Sequence, residues 1–145
     1  MSQRAATGAD SPVEFFPALS ALDFVRHGFI GRVPGIDLAT DREAALSRLD
    51  AVHREIRIEL GLGDRHFITA EQIHGNEVAV IDRPLVADQC CAGVDGLVTN
   101  ERGLSLGIYV ADCCAIFLVD PVKRSIGLVH SGRKGTKLEI GRAHV

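Results

Sequence analysis

Residues 104–135, LSLGIYVADCCAIFLVDPVKRSIGLVHSGRKG, constrain the fold more than any other part of the chain. Two apolar runs, 104–119 and 126–130, are joined by Asp120-Pro121-Val122-Lys123-Arg124-Ser125. Proline has no amide to give to a ladder and presets a turn dihedral, so the runs read as the two arms of a β-hairpin. Pairing Asp120 with Ser125 sets Val119 against Ile126, Phe117 against Leu128 and Ala115 against His130. Side chains alternate along a strand, so Cys113 then shares a face with His130, about 7–8 Å away on the diagonal. Cys114 points to the opposite face, and its neighbours Ala115 and Ile116 predict that it is buried packing. A one-residue change in the turn would exchange the two faces.

A chain of 145 residues defaults to one domain with a real core, and 46% hydrophobic with 24% charged residues is an ordinary globular composition. A net charge of −3 and a pI near 6.0 advertise no basic face, so nucleic acid is not an expected partner. The 16 Lys and Arg suffice for local anion sites only. Residues 1–14 hold no apolar core of a secretory signal and read as a flexible N-terminal arm. Asp112 interrupts the longest apolar stretch, which fits strands rather than a membrane span. The four cysteines come as two adjacent pairs, Cys90-Cys91 and Cys113-Cys114. Neighbours rarely bridge each other and no CxxC spacing is present, so free thiols and a cytoplasmic location are expected.

Before the hairpin, residues 14–29 read as a short strand leading into a shaped loop over 27–35. Arg32 in that loop either holds an anion or is simply solvated. Residues 40–60 form the clearest helix, with Thr40 and Glu43 as a capping box and Leu49, Val52, Ile56 and Leu60 as its apolar stripe. Gly61 stands where a C-terminal cap belongs, and His53 borders the stripe as a partly buried residue. Strands are expected at 67–70, 78–81 and 96–99, with a polar loop over 71–76 carrying His74 and an irregular segment over 82–93. After His130, Ser131-Gly132-Arg133-Lys134-Gly135-Thr136 is a glycine-bracketed basic turn with a helix beginning at its end. Lys134 and the turn amides would suit a phosphate, although no Walker or dinucleotide fingerprint is matched.

His74, Cys113 and His130 all fall at strand ends or adjoining loops, where side chains from separate strands converge. Two imidazoles and one thiolate supply three ligands at bonds of about 2.0–2.3 Å and leave a fourth position for water, as catalytic zinc requires. On spacing alone a blander account outweighs this one. Cys113 is then a small buried hydrophobe, His130 a satisfied core histidine and His74 a loop residue.

Four motifs in order add to that reading: Gln72-Ile73-His74-Gly75, Asp95-Gly96-Leu97-Val98-Thr99, Ala111-Asp112-Cys113, and His130-Ser131-Gly132-Arg133-Lys134-Gly135-Thr136. Together they resemble the multicopper polyphenol oxidoreductase (laccase-like) family, better described as purine nucleoside phosphorylases with adenosine deaminase activity. The resemblance spans residues 27–140 and implies an α/β fold, a mixed β-sheet with flanking helices. It carries the family's metal and catalytic trio onto His74, Cys113 and His130, with zinc as the metal and copper as the alternative. It further implies Arg32, Gln72, Asp112 and Lys134 as substrate or phosphate contacts, and purine nucleosides with phosphate as the small-molecule partners. Arg133 stands where the family usually has tryptophan, and Ser131 where it usually has alanine. Family members continue further, so residues 15–139 are expected to be the N-terminal portion of one catalytic domain. Residues 140–145 are expected to be a non-native tail resembling a translated sequencing adapter, in which His144 is given no role. Copper-dependent phenol oxidation and an inactive metal-binding fragment are the competing functions; a true multicopper oxidase needs many more ligands than the six histidines present.

Overall fold

A computed structural model of the chain describes residues 11–140. Most of the expected arm over 1–14, and the expected tail apart from Ile140, lie outside the described residues. The chain divides after Asp64 into two compact units.

The first unit holds β1 (Val13–Glu14), α1 (Pro17–Ser20), β2 (Phe29–Ile30) and α2 (Arg42–Glu59). β1 and β2 pair antiparallel through Val13 with Ile30 and Glu14 with Phe29. The expected short strand is therefore divided, and its middle is a helical turn started by Pro17, whose missing amide is harmless at the first helical position. α2 buries Ile56 and half-buries Leu49, Val52 and Leu60, as the apolar stripe predicts. Its N-cap is one residue later than expected. Asp41, not Thr40, accepts the Ala44 amide at 2.9 Å, because the carboxylate is the stronger acceptor within reach. At the other end Gly61 takes φ +78°, and the amides of Gly61 and Leu62 bond to the carbonyls of Ile58 and Arg57, closing a Schellman motif.

His27 is buried in this unit, stacked on Phe16 at 5.8 Å and edge-on to Phe15 at 5.6 Å. Its Nε2 accepts the Phe16 amide at 2.7 Å, so the folded ring is neutral. Burial pushes its pKa below the ordinary value of 6.5. The unfolded chain then takes up the proton first, and the stability His27 lends is complete above 6.5 and lost as pH falls through that value toward the lower folded pKa. Chemical denaturation between pH 7.5 and 5 should show this loss in the first unit, and His27→Gln should flatten it. An identical pH slope in the variant would refute the assignment.

The second unit carries β3 (His66–Ala70), β4 (Val78–Ile81), β5 (Gln89–Cys91), β6 (Gly96–Thr99), β7 (Leu104–Gly107), β8 (Cys114–Asp120), β9 (Ser125–Ser131) and α3 (Arg133–Lys137). Its strands form two sheets: an all-parallel one in the order β5-β3-β7, and a mixed one in the order β4-β6-β9-β8. The α/β class and the mixed sheet agree with the sequence reading. The layering differs, because the mixed sheet packs its inner face on a second sheet instead of a helix. Ile81 and Leu97 from one sheet meet Ile68, Ala70 and Leu104 from the other in a common core.

The hairpin forms in the expected register, Asp120 opposite Ser125 and Ala115 opposite His130. Asp120 accepts the amides of Val122 and Lys123 at 2.9 and 3.0 Å, which fixes the turn and holds its carboxyl below the usual range. The first arm is not continuous, however. β7 leaves for the parallel sheet, and residues 108–113 cross to β8. The crossing is fastened by the Gln72 amide, whose Nε2 donates to the Tyr109 carbonyl at 2.6 Å and whose Oε1 accepts the Tyr109 amide at 2.8 Å. The segment read as irregular contains β5, which extends β3 in parallel. Cys114 is exposed, contrary to expectation: it is the first residue of β8, the edge strand of its sheet. All four cysteines are free. Among the described residues no helix is long and apolar enough to cross a membrane.

Candidate metal centre

The register of the mixed sheet builds the site. Gly96 pairs with Val129 and Cys114 with Ser131, so Asp95, His130 and Cys113 gather at one end of three adjacent strands. The pleat turns His130 to the inner face, where it is 4% exposed. Cys113 immediately precedes β8, and His74 arrives from the 71–76 loop. Their ligand atoms lie within 4.8 Å of one another, and the two imidazoles meet nearly edge-on, 5.0 Å between centroids.

The His74 loop is held in an unusual conformation. Gln72 and His74 both have left-handed backbones, φ 62° and 63°, which cost non-glycine residues about 1–2 kcal/mol each. Compensation comes from Asp95, whose carboxylate is fully buried. Oδ1 accepts the amides of Ile73 and Gly75 at 3.1 and 2.9 Å, and Oδ2 accepts the His74 amide at 2.9 Å. Oδ2 also meets His130 Nδ1 at 2.7 Å. Burial alone would push this carboxyl up. The bonds from His130 and from the three loop amides outweigh it and hold the group below the ordinary carboxylate value. Sequence reasoning placed Asp95 only at a strand start. The available signal was a carboxylate opening an apolar strand directly opposite the histidine.

α3 closes the far side. Ser131 Oγ and Thr136 Oγ1 are 2.6 Å apart, and Thr136 Oγ1 donates to the Gly132 carbonyl at 2.7 Å, tying the helix to the end of β9. A Cβ on Gly135 would stand 2.8 Å from the Gly75 carbonyl, so only glycine lets the helix lie against the His74 loop. A Cβ on Gly132 would stand 3.2 Å from Cys113 Sγ and 3.3 Å from His74 Cδ2. Glycine there keeps clear the space between the three side chains.

The remaining expected site residues are dispersed. Asp112 is exposed beside Cys113, whose thiol reaches its Oδ1 at 3.9 Å. Burial, and then this neighbouring carboxylate, push the Cys113 thiol up. Lys134 is exposed on α3, inside the turn where the helix was expected only to begin. Gln72 is buried and its amide is taken by Tyr109, so it shapes the loop. Arg32 is exposed two residues beyond β2 in the first unit.

The residues fit a metal ion. Tetrahedral ligands at zinc bond lengths stand about 3.3–3.8 Å apart, so the trio needs to close by only about an ångström. The donor set of two imidazoles and one thiol suits zinc or copper, and the glycine at position 132 leaves the room.

Fold and site together define an α/β protein with a His/Cys/His cluster that could hold a metal ion at the end of a mixed sheet. The chain matches the family described as multi-copper polyphenol oxidoreductase laccase over residues 29–145, and it belongs to that family. It is 45% identical over 76 residues to purine nucleoside phosphorylase ORF3 of Streptomyces griseus, covering 52% of this chain and 31% of that protein. It is 36% identical over 107 residues to adenosine deaminase RL5 from an unknown prokaryotic organism, covering 70% and 40%. The crystal structure of YlmD from Geobacillus stearothermophilus superposes with a TM-score of 0.54 at 27% identity, covering 73% of this chain and 40% of that one. The chain thus spans 31% to 40% of the length of these relatives.

Proposed function

We propose that the chain is the metal-binding N-terminal portion, over residues 15–139, of a zinc-dependent purine nucleoside phosphorylase with adenosine deaminase activity. The observation that carries this reading is the convergence of His74, Cys113 and His130 within 4.8 Å in a chain whose relatives bear those two names. The reactions are phosphorolysis of adenosine, inosine or guanosine to base and ribose 1-phosphate, and hydrolysis of adenosine to inosine and ammonia. Zinc, when bound, supplies Lewis-acid activation of water beside the purine. His74 and His130 each give one ring nitrogen and Cys113 its thiolate. Asp112, exposed beside Cys113, would contact a polar group of the substrate. Lys134 is a cation suited to phosphate, whose charge it would neutralise as the sugar–base bond opens, and Arg32 is by the family resemblance a separate candidate for substrate or phosphate contact. Gln72 contributes by holding the loop that presents His74. Four free thiols accord with a cytoplasmic enzyme.

Metal analysis of protein purified without added metal, beside a phosphate-dependent base-release assay, tests the reading. Zinc near one equivalent with purine release supports it. Copper with oxidation of a phenolic dye supports the polyphenol oxidase alternative instead, and neither metal nor turnover overturns both.

A further inference from the structure

We propose that Asp95 is the positioning residue of this centre: one buried carboxylate fixes the tautomer of His130 and the backbone of the His74 loop together. The proposal rests on the metal-binding reading above for its consequence, but its geometry stands alone. A carboxylate offers about four acceptor sites, and here all four are filled, by the amides of Ile73, His74 and Gly75 and by His130 Nδ1. Every partner must therefore donate. His130 carries its proton on Nδ1, and its lone pair is on Nε2, the nitrogen left to face Cys113 and His74. The other tautomer would put a proton where an ion must bind. The same carboxylate gathers three successive amides around a left-handed His74, so moving it would disturb both histidines at once. Asp95 is itself held by its backbone, which donates to the Glu77 carbonyl and accepts the His130 amide at 2.9 and 2.7 Å.

Asparagine is the informative substitution because it keeps the shape and removes one acceptor. With its NH₂ in the place of Oδ2, it faces both His130 Nδ1 and the His74 amide, so the ring must shift its proton to Nε2 to accept and the His74 amide loses its acceptor. With its NH₂ in the place of Oδ1, it faces two amide donors and opens the loop bearing His74. Either way at least one histidine is lost to the centre.

Nitrogen-15 histidine spectra of the metal-free wild-type chain should show His130 protonated on Nδ1. Asp95→Asn should show either Nε2 protonation at His130 or displaced amide signals for residues 73–75. Zinc competition against a chromophoric chelator should give binding weaker by about 10–100-fold, the usual effect of removing such a partner. Nε2 protonation in the wild type would overturn the proposal. So would an Asp95→Asn protein that binds zinc within twofold of wild type with an unchanged tautomer and loop. If the variant does not fold, the wild-type tautomer decides. If the wild type takes up no zinc, the metal-binding reading fails, while the tautomer still decides the role of Asp95.

Discussion

Gly132→Val should strip the centre of its metal although it replaces no ligand. The Cβ alone would come within 3.2 Å of Cys113 Sγ, 3.3 Å of His74 Cδ2 and 3.9 Å of His130 Cε1. Two further methyls must then occupy the volume toward which the ligands close, or push His74 and Cys113 apart. Gly132 has an extended backbone, φ −82° and ψ −177°, which valine adopts readily, so the damage is steric and local. Zinc affinity should fall by more than about 100-fold, beyond what loss of an outer-shell partner costs. Cys113→Ala, which deletes a ligand outright, should fall as far, whereas Gly132→Ala should sit between it and wild type. Equilibrium zinc titration of the four proteins, with circular dichroism to show an intact sheet, makes the comparison. A valine variant that keeps stoichiometric zinc at wild-type affinity would mean that the ion does not occupy the space beside Gly132.

The parts of this geometry that the sequence disclosed are those set by short-range rules. Pro121 and the six-residue connection from Asp120 to Ser125 fix the hairpin register, and the period of two then carries Cys113 and His130 to one face. Helix α2 was legible from its apolar stripe and Gly61, though Asp41 displaced Thr40 as its cap. What stayed hidden depends on tertiary partners. Within residues 104–111 Gly107 is the single local sign of a break, and β7 ends on it; the crossing beyond it is held by the Gln72 amide, which captures the Tyr109 backbone from a distant loop. β5 is three residues long and gains its strand character only from β3 beside it. Cys114 looked buried because its neighbours are apolar, but its strand lies at an edge, and strand order is not written in local composition. A carboxylate opening an apolar strand marks Asp95 as unusual, but its role shows only once its four donors are in place.

The 145-residue chain should bind zinc yet turn over adenosine far more slowly than a chain completed with the matching C-terminal portion of a relative. The three proposed ligands lie within this sequence, so on that reading affinity for the ion does not require more. Turnover does, since catalysis needs walls that exclude water and hold the substrate. The relatives above extend well beyond the matched region, the chain spanning 31% to 40% of their length. The outer face of the mixed sheet gives a physical reason to expect a further layer. By register it presents Val78, Val80, Val98, Ile116 and Leu118 around Gly96, Gly127 and the already buried Val129, with no polar side chain in those rows. Val80 is 62% exposed and Leu118 42%, although fully burying such a side chain is worth about 1.5–3 kcal/mol. Among the described residues β8 is also an edge strand beside this face, and such edges promote aggregation. Joining the C-terminal portion of the Streptomyces griseus relative should therefore raise base release by at least about 100-fold, roughly 3 kcal/mol of transition-state stabilisation, and reduce aggregation, with zinc affinity changed only a few-fold. Release of adenine and hypoxanthine with phosphate present is measured for both proteins and for each with Cys113→Ala. Equal rates in the short and completed chains, both abolished by Cys113→Ala, would show that residues 1–145 already contain a whole active site.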